Sequence, residues 1–222
     1  MSTWGRLPCK SGICFGSRHA GDVGTRLTPP LRQVWDFIPD AELRTVVNRE
    51  AFAGTLVFDQ WTCNGDGRQT VFVRQPDDRR FRVHVIDNGF CFGGAEWRLD
   101  DAPLRGLHRQ TAAYDFILSF DIFEPWLYRI EKEIDLVSLE TAASLIPPEW
   151  NRYGRQQLDR LLYTLDRRRH RVRDLIWQTI KAAPAAFRNF KFGPLAKARS
   201  TRENSQHGAT RKRQYLESNG ML

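Results

Sequence analysis

Asp59-Gln60-Trp61-Thr62-Cys63-Asn64-Gly65-Asp66-Gly67-Arg68-Gln69 is followed, after a β-rich stretch, by Ile86-Asp87-Asn88-Gly89, and no other part of the chain places so much polar chemistry among apolar residues. The residue types suit phosphoryl transfer. Moving a γ-phosphoryl group takes a carboxylate to orient or deprotonate the acceptor hydroxyl, and one or two Mg²⁺ ions held by a second carboxylate and a side-chain amide. Asp66 can supply the first acid and Asp87 the second. Mg²⁺ prefers hard oxygen ligands and keeps several waters, so one or two carboxylates plus nucleotide phosphates suffice. The plainer alternative is that Asp and Asn beside Gly simply form turns.

For the acids to act together, the chain between them must fold back on itself. Residues 70–74 and 81–86 are rich in β-branched and aromatic side chains, and the polar, Pro-containing residues 75–80 supply a turn. A hairpin there sets the residue before its first strand and the residue after its second at one end of the ribbon. Asp66 and Asp87 then converge across the twenty residues that separate them.

Helices are expected around this hairpin. Leu31, Val34, Trp35 and Ile38 recur at helical spacing, predicting a helix from Pro29-Pro30 to about Pro39 with its apolar side on the core. Asp40 reads as the N-cap of a second helix with Glu42 in its acidic first turn. Leu56-Val57-Phe58, which delivers Asp59, fits a helix or a short strand. Glu124-Pro125-Trp126-Leu127 reads as a helix start with Pro in the first turn, and Ser138 as the cap of a short helix. Beyond Pro147-Pro148-Glu149-Trp150, apolar residues from Leu158 to Ile180 form one stripe over about seven turns. The basic run Arg167-Arg168-Arg169-His170-Arg171 interrupts that stripe. It reads as a solvated bend between two helices, with a docking site for nucleic acid or an acidic partner as the alternative. His108 and His170 lack acidic or cysteine neighbours at ligand spacing and read as surface histidines.

Cys9, Cys14, Cys63 and Cys91 show no zinc-ligand spacing, and Cys63 and Cys91 read as small buried residues. With 222 residues and 41% hydrophobic content, the chain has room for one core plus tails. The opening Met-Ser-Thr-Trp-Gly-Arg-Leu-Pro-Cys lacks the apolar stretch of a signal peptide, and the longest apolar runs are broken by charge. The expectation is a cytoplasmic protein with no membrane association. From Pro184 onward, eight Lys and Arg residues face only Glu203 and Glu217, a net +6 of the chain's +8. Such a segment reads as a disordered basic arm, able to touch nucleic acid non-specifically and in a salt-dependent way. No zinc-finger, RNP-like or Gly-rich RNA-binding motif accompanies it.

Residues 56–61, 64–69 and 85–92 together resemble the HipA-like kinase domain, a bacterial branch distantly related to the lipid and protein kinases. Gly12-Ile13-Cys14-Phe15-Gly16-Ser17-Arg18, Trp97 and Asp100-Asp101-Ala102-Pro103-Leu104 fit the same group, so the resemblance spans about residues 10–180. It implies that Asp66 is the catalytic base and Asp87 a metal ligand, with Asn64 and Arg68 fixing the loop or facing phosphate. The wider kinase pattern carries a metal-binding Asn five residues after the base, where Val71 stands; Gln69 is the nearest amide and a candidate ligand to metal or cofactor. The implied cofactors are ATP and Mg²⁺, and the implied partners a nucleotide and an unidentified protein or small-molecule acceptor.

The resemblance also implies a nucleotide-covering lobe with a strand-borne Lys. Lys10 is the only lysine before Lys132, and its Pro- and Gly-punctuated setting does not read as a central strand. With helices expected from Pro29, under thirty residues remain for that lobe, too few for a five-stranded sheet of strands about five or six residues long. The expected architecture is therefore α+β: a poorly structured remnant over 1–28, a mostly helical kinase-like large lobe with a β-hairpin over 29–183, and the basic tail over 184–222. The chain reads as an amino-terminally shortened phosphotransferase or as an inactive relative acting as a binding or interaction module.

Overall fold

Helix α2 (Glu50–Thr62) is the element around which the rest is built. Phe52, Ala53, Leu56, Val57, Gln60 and Trp61 are all buried, and a helix covered on most of its sides must be central to its domain. Leu56-Val57-Phe58 is therefore helical. The computed structural model describes residues 33–65, 69–76, 78–151 and 153–192, which form an α+β fold. No helix among them is long and apolar enough to cross a membrane.

The β component is one antiparallel sheet in the order β1 (Gln33–Trp35), β2 (Gln69–Arg74), β3 (Arg82–Ile86). The expected hairpin is present, with Gln69 opposite Ile86 and Phe72 opposite Val83. The helix expected up to Pro39 is not: Gln33 pairs with Arg74 and Trp35 with Phe72. Val34 and Trp35 favour a pleated surface, and the edge of β2 supplies hydrogen-bond partners that outweigh a short helical stripe. Ile38 is buried, whereas Trp35 is half exposed. Asp40 is the first residue of one-turn α1 (Asp40–Leu43), and Pro39, which has no side-chain donor or acceptor, occupies the cap.

Helix α3 (Glu124–Tyr128) has the expected Pro in its first turn. It crosses α2 where Gly54 sits; a Cβ there would lie 2.7 Å from the Trp126 ring, so only glycine allows the approach. Helix α4 (Leu136–Ser144) is capped by Asp135 rather than Ser138. Asp135 Oδ1 accepts from Ser138 N–H at 2.8 Å, and Ser138 Oγ accepts from Asp135 N–H at 2.8 Å. The reciprocal pair is a capping box with Ser138 as its third-position partner.

The long apolar stripe divides into α5 (Gly154–Arg169) and α6 (Val172–Ala182), joined at His170 and Arg171 and preceded by a 3₁₀ turn at Pro148–Trp150. The expected bend is present, but the basic run is not simply solvated. Arg168 is buried, donates through Nε and Nη2 to Gln60 O at 3.0 and 2.8 Å, and pairs with Asp101. Arg169 donates to Glu131 O at 2.6 Å, and Arg171 reaches Asp101 at 2.5 Å. His170 is exposed, as expected.

His108 is buried instead of lying on the surface. Its ring packs edge-on against Phe52 at 5.2 Å between centroids, and Nε2 lies 3.1 Å from Thr70 Oγ1. Burial, opposed by a Gln110 backbone hydrogen bond and reinforced by Arg109, lowers its pKa below the ordinary 6.5. The folded state thus favours the neutral ring, so its stability is full above about pH 6.5 and declines as pH falls below that value. His108→Gln is expected to flatten that decline in urea titrations between pH 7.5 and 5; an unaltered slope would place the pH dependence elsewhere.

The core also continues past the expected boundary at Pro184, because Ala186, Phe187 and Phe190 are buried. Phe187 packs on Tyr114 at 5.1 Å, and Lys191 N–H donates to Leu118 O at 2.9 Å. Arg188 pairs with Asp115, so this part of the basic segment belongs to the fold. Residues 1–32, including Cys9, Lys10 and Cys14, and residues 193–222 lie outside the described part.

Candidate functional site

The C-terminus of α2 turns sharply into the polar loop. Cys63 adopts a left-handed conformation (φ 53°, ψ 47°), and its N–H returns to Asp59 O. A left-handed residue commonly closes a helix this way, though usually as glycine. Cys63 Sγ donates to Asp100 O at 3.4 Å, and burial raises its thiol pKa although Arg168 and Arg105 oppose the shift. It is a packing residue, as is buried Cys91, whose Sγ lies 3.6 Å from Thr62 Oγ1.

Asn64 is buried, and its Nδ2 donates to Asp59 Oδ1 at 3.2 Å. Asp59 is itself buried, so this hydrogen bond ties the loop to the helix that delivers it. Gly65 N–H donates to Phe90 O at 2.9 Å, and Gly93 N–H to Cys63 O at 3.0 Å. These bonds stitch residues 63–65 to 90–93, on the far side of Asp87.

Asp66 and Arg68 lie outside the described residues, and Gln69 is described in its backbone only, at the first position of β2. Residues 65 and 69, on either side of them, are both fixed near Asp87: Gly65 to Phe90 and Gln69 opposite Ile86. Asp87 follows β3 directly, is exposed, and has φ 56°. Its Oδ1 accepts from Gly89 N–H at 3.0 Å, an Asx turn that orients the carboxylate.

Sequence reasoning missed Arg105. Its Nη1 donates to Cys63 O at 3.1 Å and lies 3.7 Å from where a Cβ on Gly65 would sit, while its Nε is buried without a hydrogen-bond partner among the described residues. No motif marks this arginine; only its place just after Asp100-Asp101-Ala102-Pro103-Leu104 hinted at it.

Among the described residues no group of three or more His, Cys, Asp or Glu is placed to hold a metal. Comparison of the chain with protein-family models, with curated proteins and with solved structures found no match.

Proposed function

We propose that this chain is an ATP- and Mg²⁺-dependent phosphotransferase of the HipA-like kinase type, acting on an alcohol group. The observation carrying this reading is the bracing of the Gly65–Gln69 loop against both sides of Asp87, through Gly65 to Phe90 and Gln69 opposite Ile86. In this scheme Asp66 orients or deprotonates the acceptor hydroxyl. Asp87, with Gln69 as a candidate partner, holds Mg²⁺, which when bound neutralises the nucleotide phosphates. Arg68 faces phosphate. Arg105 contributes a fixed guanidinium beside the loop, and an arginine can grip phosphate in two directions at once. It offers a cation near the site in a chain whose early sequence lacks a suitably placed lysine.

A second reading, an interaction module without catalysis, is favoured by the exposure of Trp35, Phe37 and Phe90. Trp35 ends edge strand β1, and Phe90 belongs to the loop after Asp87. Calorimetry distinguishes the two: the kinase reading requires Mg²⁺-dependent ATP binding that Asp87→Asn removes. Asp66→Asn should retain the binding and lose transfer.

A further inference from the structure

Away from the polar loop, a cleft of about 360 Å³ opens between α1, the turn at Thr111–Tyr114 and the segment after α6. Arg44, Arg49 and Arg188 line it around a single carboxylate, Asp115, with Leu43 and Phe116 as apolar walls. Arg44 Nε donates to Asp115 Oδ2 at 2.7 Å, and Arg188 pairs with the same oxygen. Asn189 Nδ2 donates to Asp115 O at 2.8 Å, fixing the far wall. Arg49 stacks over the Phe116 ring at 5.2 Å and makes no ion pair among the described residues.

Three arginines and one carboxylate thus line the cleft, leaving two positive charges unmatched by the lining. Asp40 acts on Arg44 from outside the lining, where its own Oδ1 is occupied by Gln110 Nε2 at 3.0 Å. Partial burial works against ionisation of Asp115, but hydrogen bonds from Arg44 and Arg188 hold its carboxyl below the usual range, so it stays charged and keeps both arginines in place. Arginines oriented by a shared carboxylate present their remaining N–H groups in a fixed fork, the geometry that takes phosphate oxygens in pairs. A cleft of this volume fits a small ligand, and its aromatic wall suits an organic group attached to the anion.

We propose that this cleft binds a small phosphate monoester, its dianion placed among Arg44, Arg49 and Arg188 and its organic part against Phe116 and Leu43. None of the loop residues assigned to phosphoryl transfer lines the cleft, so the proposal stands apart from that assignment. The test is titration of the full chain with phenyl phosphate and with inorganic phosphate, in Mg²⁺-free buffer of constant ionic strength, followed by arginine Nε–H signals in ¹H–¹⁵N spectra. Saturable binding, tighter for phenyl phosphate, is expected, with Arg49→Gln and Arg188→Gln each weakening it about tenfold, the loss expected when one charge-assisted contact is removed. Asp87→Asn should bind as the parent does, which separates this cleft from the polar loop. Arg49→Gln is the decisive variant, since it leaves the Asp115 pairs intact. Unchanged affinity in Arg49→Gln, or unsaturable shifts spread over all exposed arginines, would overturn the site.

Discussion

Gly106→Ala is expected to destabilise the fold by more than about 4 kcal/mol, among the largest effects a single methyl group can have. Gly106 has φ 73°, and a Cβ built on it would lie 2.3 Å from Asp59 Cβ. The left-handed backbone alone costs a non-glycine residue roughly 1–2 kcal/mol. The overlap adds more, because the atom in the way is the stem of a buried residue on α2 and not the flexible end of a side chain. Either α2 or the 102–107 segment must move, and Gln60 Nε2 joins them through Ala102 O, Pro103 O and Arg105 O at 3.2, 3.2 and 2.9 Å. Thermal melts followed by circular dichroism should show a midpoint lower by roughly 10 °C or more, at about 2–4 °C per kcal/mol for a chain of this size. A loss under about 1 kcal/mol would mean that α2 and this segment are not packed at that distance.

Arg168→Ala should cost about 2–3 kcal/mol, while Arg167→Ala, one residue earlier in the same basic run, should stay within about 0.5 kcal/mol. Arg168 has 5% of its side chain exposed and joins α5 to α2 through Gln60 O, and to the 100–107 segment through Asp101. Removing it strands a buried carbonyl and leaves a carboxylate to find other partners. Asp101 keeps 30% of its side chain exposed and retains Arg171, which holds the penalty below that of a fully buried broken pair. Arg167 is exposed and, among the described residues, lies over the Tyr163 ring at 5.7 Å. Urea unfolding of the two variants measures the difference directly. Equal costs would contradict the internal role of Arg168.

Local pattern was a reliable guide where one physical signal dominated. The β2–β3 hairpin followed from β-branched residues flanking a Pro-containing turn, and α3 from its early proline. Pattern failed where tertiary partners decided. Residues 33–35 follow the edge of β2, and no local feature of Leu31, Val34 and Trp35 announces that partner. His108 and Arg168 looked like surface residues because their compensating contacts come from Thr70, Gln60 and Asp101, far away in sequence. The cap of α4 moved three residues because Asp135 and Ser138 satisfy each other, and either alone is a plausible cap. At the candidate site the hairpin that should bring Asp66 and Asp87 together was legible, while Asp66 itself lies outside the described residues. Spacing carried no trace of Arg105, or of Arg44, Arg49 and Arg188, which line one cleft with Asp115 only after folding.

Calorimetric titration of the purified chain with ATP, in the presence and absence of Mg²⁺ and alongside Asp87→Asn, tests the phosphotransferase reading most directly. The expected result is Mg²⁺-dependent binding in the micromolar range, about −8 kcal/mol, that disappears in Asp87→Asn while its thermal midpoint matches the parent. ATP binding that persists unchanged in Asp87→Asn, or no binding by the folded parent chain with Mg²⁺ present, would contradict it.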